Sequence, residues 1–145
     1  MNLDYIFRKY TRSLRKLPNF IIVGAQKAGT TSLSYYLSQH PNVFIHKIKE
    51  LNYFNQSIEK PIDFYRQYFS FKWSSKINGE ATPDYMIYPQ ISEMIARLNP
   101  KIKLIFLLKN PVERAFSHYK HNLMMKREWL SFEEALEIES KRVDK

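Results

Sequence analysis

Two apolar runs dominate the chain. One lies within residues 19–24, between Pro18 and the glycine at 24; the other, residues 104–108, completes a stretch that begins at Lys101. Runs of this length without polar alternation predict strands covered on both faces. The pattern changes to a helical period after the first run. Leu33 and Leu37 are spaced i, i+4 with Tyr36 beside them, which predicts a helix over 30–39 stopped by His40-Pro41. Val43-Phe44-Ile45 predicts a second, short strand. Ile62, Tyr65, Tyr68 and Phe69 give a helix over 61–71 an aromatic face, read as core packing. Residues 76–83 predict a short edge strand running into a turn. Ile91, Met94, Ile95 and Leu98 repeat at i, i+3, i+4, i+7, a helix over 90–98.

The second apolar run also launches a helix. Asn110 suits the N-cap, Pro111 the first helical position and Glu113 the third, and the helix is expected to reach about Arg127. Ser131 to Glu134 is a capping box opening a last helix, over 133–145. Strands alternating with helices imply an α/β fold, a central parallel sheet flanked by helices with right-handed crossovers. If the two strong strands lie side by side, both helix starts face one crevice, suited to a ligand with two separated anionic groups. Only four strands are predicted and none follows the last helix, so a partial version of a larger domain is expected. The division is a basic segment at 1–17, read as a short amphipathic helix or a loose arm, and one domain at 18–145.

Composition narrows the partners. The 145 residues suffice for one modest domain, and 44% hydrophobic with 15% aromatic content excludes a disordered tail. The net charge of +9 favours anionic partners. Without cysteine there is no disulfide framework or thiolate metal site, and the four histidines show no ligand spacing, so no metal is expected. Neither apolar run is long enough to span a bilayer, and residues 1–16 lack the apolar core of a signal peptide. A cytoplasmic protein without a transmembrane segment is expected. No basic–aromatic spacing marks a specific nucleic-acid groove.

The chemistry concentrates in the loop after the first strand. Gly24 and Gly29 have the spacing of a P-loop, G-x-x-x-x-G-K-S/T, but Thr30 stands where the ATPase lysine belongs and the lysine is inside the loop, at Lys27. The second strong strand ends in Lys109 rather than an aspartate, which disfavours a magnesium-dependent kinase. What remains is an anion cradle built from lysine, hydroxyls and the amides of a helix start.

The segment from Gly24 to Leu33 resembles the 5′-phosphosulfate loop of the sulfotransferases that use 3′-phosphoadenylyl sulfate (PAPS), in the form of the heparan sulfate and related carbohydrate type. Lys109-Asn110-Pro111-Val112-Glu113-Arg114-Ala115-Phe116-Ser117-His118-Tyr119 resembles their 3′-phosphate motif, R-D-P-x-x-R-x-x-S-x-Y. Lys49 to Phe54 resembles K-E-x-H-F-F, and Gly79 to Tyr85 resembles G-E-x-S/T-P-x-Y. Four segments in family order span roughly residues 18–125. The resemblance implies a three-layer P-loop-like fold, PAPS as co-substrate without a metal, and a hydroxyl or amine acceptor, in the first instance on a carbohydrate. It implies that Lys27, Ala28, Gly29, Thr30, Thr31 and Ser32 hold the 5′-phosphosulfate, with Lys27 neutralising the leaving oxygen. Lys109 and Ser117 would hold the 3′-phosphate and Glu50 would be the general base; His46 is a lesser candidate. Lys109 and Asn110 replace the family's arginine and aspartate, and Asn52 a frequent histidine. The family's later substrate-gripping segments do not occur. A PAP-binding but inactive chain is the alternative.

Overall fold

The computed structural model describes residues 3–143. They form two compact units, 3–108 and 109–143, each described by itself. The first opens with α1 (Leu3–Tyr10), followed by a 3-10 turn, Arg12–Leu14. Then come β1 (Phe20–Gly24), α2 (Thr30–Ser38), β2 (Val43–Ile45), α3 (Tyr53–Gln56) and α4 (Ile62–Arg66). β3 (Ile77–Ala81), a 3-10 helix at Pro83–Ile87, α5 (Pro89–Leu98) and β4 (Lys103–Phe106) complete it.

The four strands make one all-parallel sheet in the order β2-β3-β1-β4. The two strong strands, β1 and β4, are neighbours. β1 is buried throughout and its alternation serves two cores. Ile21 and Val23 pack with Tyr53, Tyr65, Phe69, Ile91 and Ile95, from α3, α4, α5 and the turn after α4. Phe20 and Ile22 point the other way, against Leu33 and Leu37 of α2. Helices on both faces of a parallel sheet make this a three-layer α/β fold. No helix among the described residues is long and apolar enough to cross a membrane.

β3 is not the edge strand its polar sequence predicts. It lies between β2 and β1 and bonds to both. Asn78, Gly79 and Glu80 look like surface residues, but each is used inside. Asn78 Oδ1 accepts from Ser70 N at 2.8 Å, and a Cβ at Gly79 would sit 2.0 Å from the Phe20 ring. The Glu80 carboxyl, 2% exposed, accepts at 2.6 Å from the Tyr65 hydroxyl. Its second oxygen has no hydrogen-bond partner among the described residues. Burial pushes it up to about 7, against the hydroxyls of Tyr65, Tyr85 and Thr82, which pull the other way.

Other elements are shorter than expected. The helix at 61–71 stops at Arg66, because the chain must turn for Ser70 to reach Asn78 while Tyr65 and Phe69 both enter the core. The basic segment takes the helical alternative over Leu3–Tyr10, with residues 1 and 2 outside the described ones. Arg8 donates to Gln67 O at 3.3 Å and the buried Arg15 to Phe69 O at 2.8 Å.

The second unit holds α6 (Pro111–Met124), α7 (Phe132–Glu137) and α8 (Glu139–Val143). α6 ends three residues before the expected Arg127. The expected single last helix is two, broken at Ile138; residues 144 and 145 lie outside the described ones. The break accompanies an ion pair: Arg142 donates to Glu128 at 2.6 and 3.3 Å, and that carboxyl also accepts from Trp129 N and Leu130 N. The Arg142 guanidinium and these amides hold Glu128 down to about 2.

Glu80 gives a stability test. Its folded value lies above the ordinary 4.5, so ionisation opposes folding as pH rises from 4.5 to about 7. Glu80→Gln removes that opposition. The melting temperature of the variant, relative to the native chain, should rise between about pH 5 and about pH 8 and level off above. A difference independent of pH would contradict the buried neutral carboxyl.

Candidate active site

The connections from β1 and β3 leave in opposite directions. β1 runs through α2 to β2 at one edge of the sheet, and β3 runs through α5 to β4 at the other. The switch point therefore falls between β1 and β3, and such crevices at the carboxyl ends of strands bind ligands. The loop singled out in the sequence starts there.

Its shape comes from two positive-φ residues. Lys27 has φ 63° and Gly29 φ 96°, and α2 begins at the next residue, Thr30. Lys27 is exposed, Thr30 is buried, and Thr31 and Ser32 are exposed on the first turn. The amides of that turn have no carbonyl one turn back inside the helix, apart from the contact of Leu33 N with Gly29 O at 3.0 Å. The loop is pinned at its base, where Ala25 N donates to Leu107 O at 2.9 Å and Leu107 N to Gly24 O at 2.7 Å.

The far wall is the segment after β3. Thr82 N donates to Ile22 O at 3.0 Å, and the Gln26 amide donates to the Asp84 carboxylate, tying the two loops across the switch point. Gly24 is pressed against the same segment. A Cβ there would meet Met86 Cβ at 2.8 Å and Pro83 O at 3.0 Å.

Glu50 enters from the third side. It follows β2, with φ 53°, and its amide donates to Ala81 O at 3.0 Å, the last residue of β3. The turn is closed by Asn52, φ 51°, whose side chain donates to Glu50 O at 2.8 Å. Asn52 at the frequent histidine position thus holds the loop. Glu50 itself is exposed, so its carboxylate is open to solvent at the end of the sheet where the Lys27 loop stands.

His46 is not placed for proton transfer. It is buried, with its ring edge-on to Tyr68 at 5.4 Å and its Nδ1 accepting from Ile48 N at 3.1 Å. Desolvation, with Arg8 nearby, pulls the imidazole down to about 4.

Lys109 and Ser117 belong to the second unit. Lys109 is paired with Glu113 at 3.3 Å on a half-exposed surface, a weak contact. Asn110 caps α6 as expected, accepting from Val112 N at 3.0 Å and Glu113 N at 3.3 Å, so the substituted aspartate position keeps its structural task. Ser117 lies partly buried on α6.

Gln26, Asp84 and Met86 are part of the site, although the sequence reading gave them no task. Gln26 and Asp84 stood inside motifs already noted and Met86 directly after one, but nothing in a linear pattern pairs residue 26 with 84 or 24 with 86.

These features define an α/β domain with a strand-loop-helix at the switch point of a parallel sheet. Residues 17–143 match the model of the sulfotransferase domain, and the chain belongs to that family. It is 40% identical over 117 residues to the membrane-associated sulfotransferase kil1 of Dictyostelium discoideum, covering 79% of this chain and 24% of that protein. It is 33% identical over 108 residues to heparan sulfate glucosamine 3-O-sulfotransferase 5 of Mus musculus, covering 73% and 31%. The crystal structure of a sulfotransferase from Alicyclobacillus acidocaldarius superposes with a TM-score of 0.77 at 33% identity, over 89% of this chain and 59% of that one. The fold is thus that of a sulfotransferase. The chain spans about a quarter to a third of the length of these curated relatives.

Two glycine replacements separate crowding from backbone strain. Gly29→Ala meets nothing within 4 Å and bears only the positive φ, so it should cost about 1 kcal/mol. Gly24→Ala adds a collision with Met86 and Pro83, and should cost roughly 2 kcal/mol or more. Urea denaturation midpoints measure both, and equal losses would refute the contact.

Proposed function

We propose that the chain binds PAPS and transfers its sulfuryl group to an acceptor hydroxyl, on a carbohydrate in the first instance. The observation that carries this is the loop with left-handed turns at Lys27 and Gly29, opening α2 at the switch point. Family membership and the heparan-type relatives support the donor and the acceptor class.

In this reading the amides and hydroxyls from Lys27 through Ala28, Gly29, Thr30, Thr31 and Ser32 hold the 5′-phosphosulfate. Lys109 and Ser117 hold the 3′-phosphate. Glu50 accepts the proton of the acceptor hydroxyl as the oxygen attacks sulfur. The bond from sulfur to the bridging phosphate oxygen breaks, its electron pair stays on that oxygen, and Lys27 stabilises the charge that develops there. PAP leaves with the phosphate. No metal takes part, and a cytoplasmic site of action belongs to the same reading.

A second reading is a PAP-binding module without transfer activity. Sulfated product detected by mass spectrometry from a panel of glycan acceptors would decide for the enzyme; tight PAP binding without product would decide for the module.

Calorimetric titration with PAP tests the loop. Lys27→Ala should weaken binding about ten-fold or more, equivalent to ~1.4 kcal/mol. Absence of binding by the native chain, or equal binding by the variant, would refute the assignment. Lys109→Arg restores a guanidinium fork for phosphate and should tighten PAP binding several-fold in the same titration. Unchanged affinity would remove Lys109 from the 3′-phosphate site.

A further inference from the structure

α1 turns its most apolar face to solvent. Leu3, Phe7 and Tyr10, spaced i, i+4, i+7, lie on one side of the helix and are 81%, 55% and 79% exposed. The stripe continues onto the loop before β3. Phe7 meets the Phe71 ring edge-on at 6.1 Å, and Trp73, itself 70% exposed, stacks on Phe71 at 4.4 Å.

This face is built rather than loose. Arg15 is buried beneath it, its guanidinium 4.1 Å from the Phe71 ring centre and bonded to Phe69 O, and Arg15 and Phe71 form an antiparallel bridge. Arg8, paired with Asp4 of the same helix at 3.0 Å, anchors α1 through Gln67 O at 3.3 Å. Exposed aromatic rings are therefore held in place at the surface, where they gain nothing from the fold's own core.

The surroundings are cationic. Residues 3–17 and 70–76 carry seven basic side chains and one acid, Asp4, which pairs with Arg8. Leucine and aromatic rings on one face, rimmed by lysine and arginine, suit the headgroup layer of a membrane. Tyrosine and tryptophan put an apolar body inward and a polar edge outward there. A protein partner would need an acid set against each cation, whereas anionic lipids meet the cations wherever they stand.

We propose that the face formed by α1, Phe71 and Trp73 docks on a bilayer bearing anionic lipids. Trp73 adjoins the segment that enters β3 at its amino end, while the Lys27 loop leaves β1 at its carboxyl end. Contact through Trp73 thus uses the end of the sheet away from the nucleotide loop. The proposal does not depend on the sulfuryl-transfer reading.

The test uses the full chain carrying Trp129→Phe, which leaves Trp73 as the single indole. Vesicles of phosphatidylcholine with about 30% phosphatidylserine should co-sediment the chain and shift Trp73 emission to shorter wavelength. Pure phosphatidylcholine should bind about ten-fold less. Leu3→Ser with Tyr10→Ser, both at exposed positions and leaving the net charge unchanged, should preserve the circular dichroism spectrum and weaken binding about ten-fold or more. No co-sedimentation overturns the proposal. So does binding that the double variant leaves unchanged, which would mean adsorption by charge alone. A lipid-independent dimer abolished by the double variant would also overturn it, by assigning the face to a second copy.

Discussion

β1 is covered on both faces and bonded along both edges, so neither its side chains nor its backbone reach water. A strand in that position cannot alternate polar and apolar residues, and its run from Phe20 to Val23 does not. Ile21 and Val23 supply one core, Phe20 and Ile22 the other. Helices must then cover both faces, which sends the connections after β1 and β3 to opposite sides. The switch point and the crevice beyond it follow from this. The loop that leaves β1 has to turn within a few residues from a buried strand into a helix start. The left-handed turns at Lys27 and Gly29 and the closeness of Gly24 to Met86 are consequences of that turn.

The polar residues inside the first unit serve the same frame. Asn78 stitches β3 to the turn after α4, and Glu80 receives the Tyr65 hydroxyl beneath the loop that carries Glu50. A buried carboxyl with one oxygen unpartnered opposes stability when ionised, and its raised value near 7 expresses that opposition. The Glu50 amide bond to Ala81 O lies one residue further along the same strand. Buried polar groups in β3 thus lie directly beneath the loops of the site. In the second unit a different device acts: Glu128 collects Arg142 and two backbone amides at the turn between α6 and α7.

Much of this was legible because the signals were local. The apolar runs marked β1 and β4, the leucine spacing marked α2, and Asn110 and Ser131 marked helix starts whose caps form as read. The α/β class and the family followed from the order of elements and from four short motifs. The central position of β3 was not legible. Polarity read along a line assigns Asn78 and Glu80 to an edge, and only partners distant in sequence, Ser70 and Tyr65, make their burial tolerable. The same limit applies to the length of α4, which ends where Ser70 must reach Asn78.

What the sequence by itself determined is the chemistry on offer: a lysine within a glycine-bounded loop, hydroxyls at a helix start, and a glutamate after a short strand. These depend on residue type and near-neighbour spacing, which a linear chain displays in full. What only the tertiary structure decided is their company. Strand order brings the Lys27 loop and the Glu50 loop to the same end of the sheet. Gln26 finds Asp84, and Gly24 is confined by Met86. His46 is removed from the chemistry by burial. Each of these is a contact between residues far apart in the chain, set by the packing of two helical layers on a strand buried from both sides.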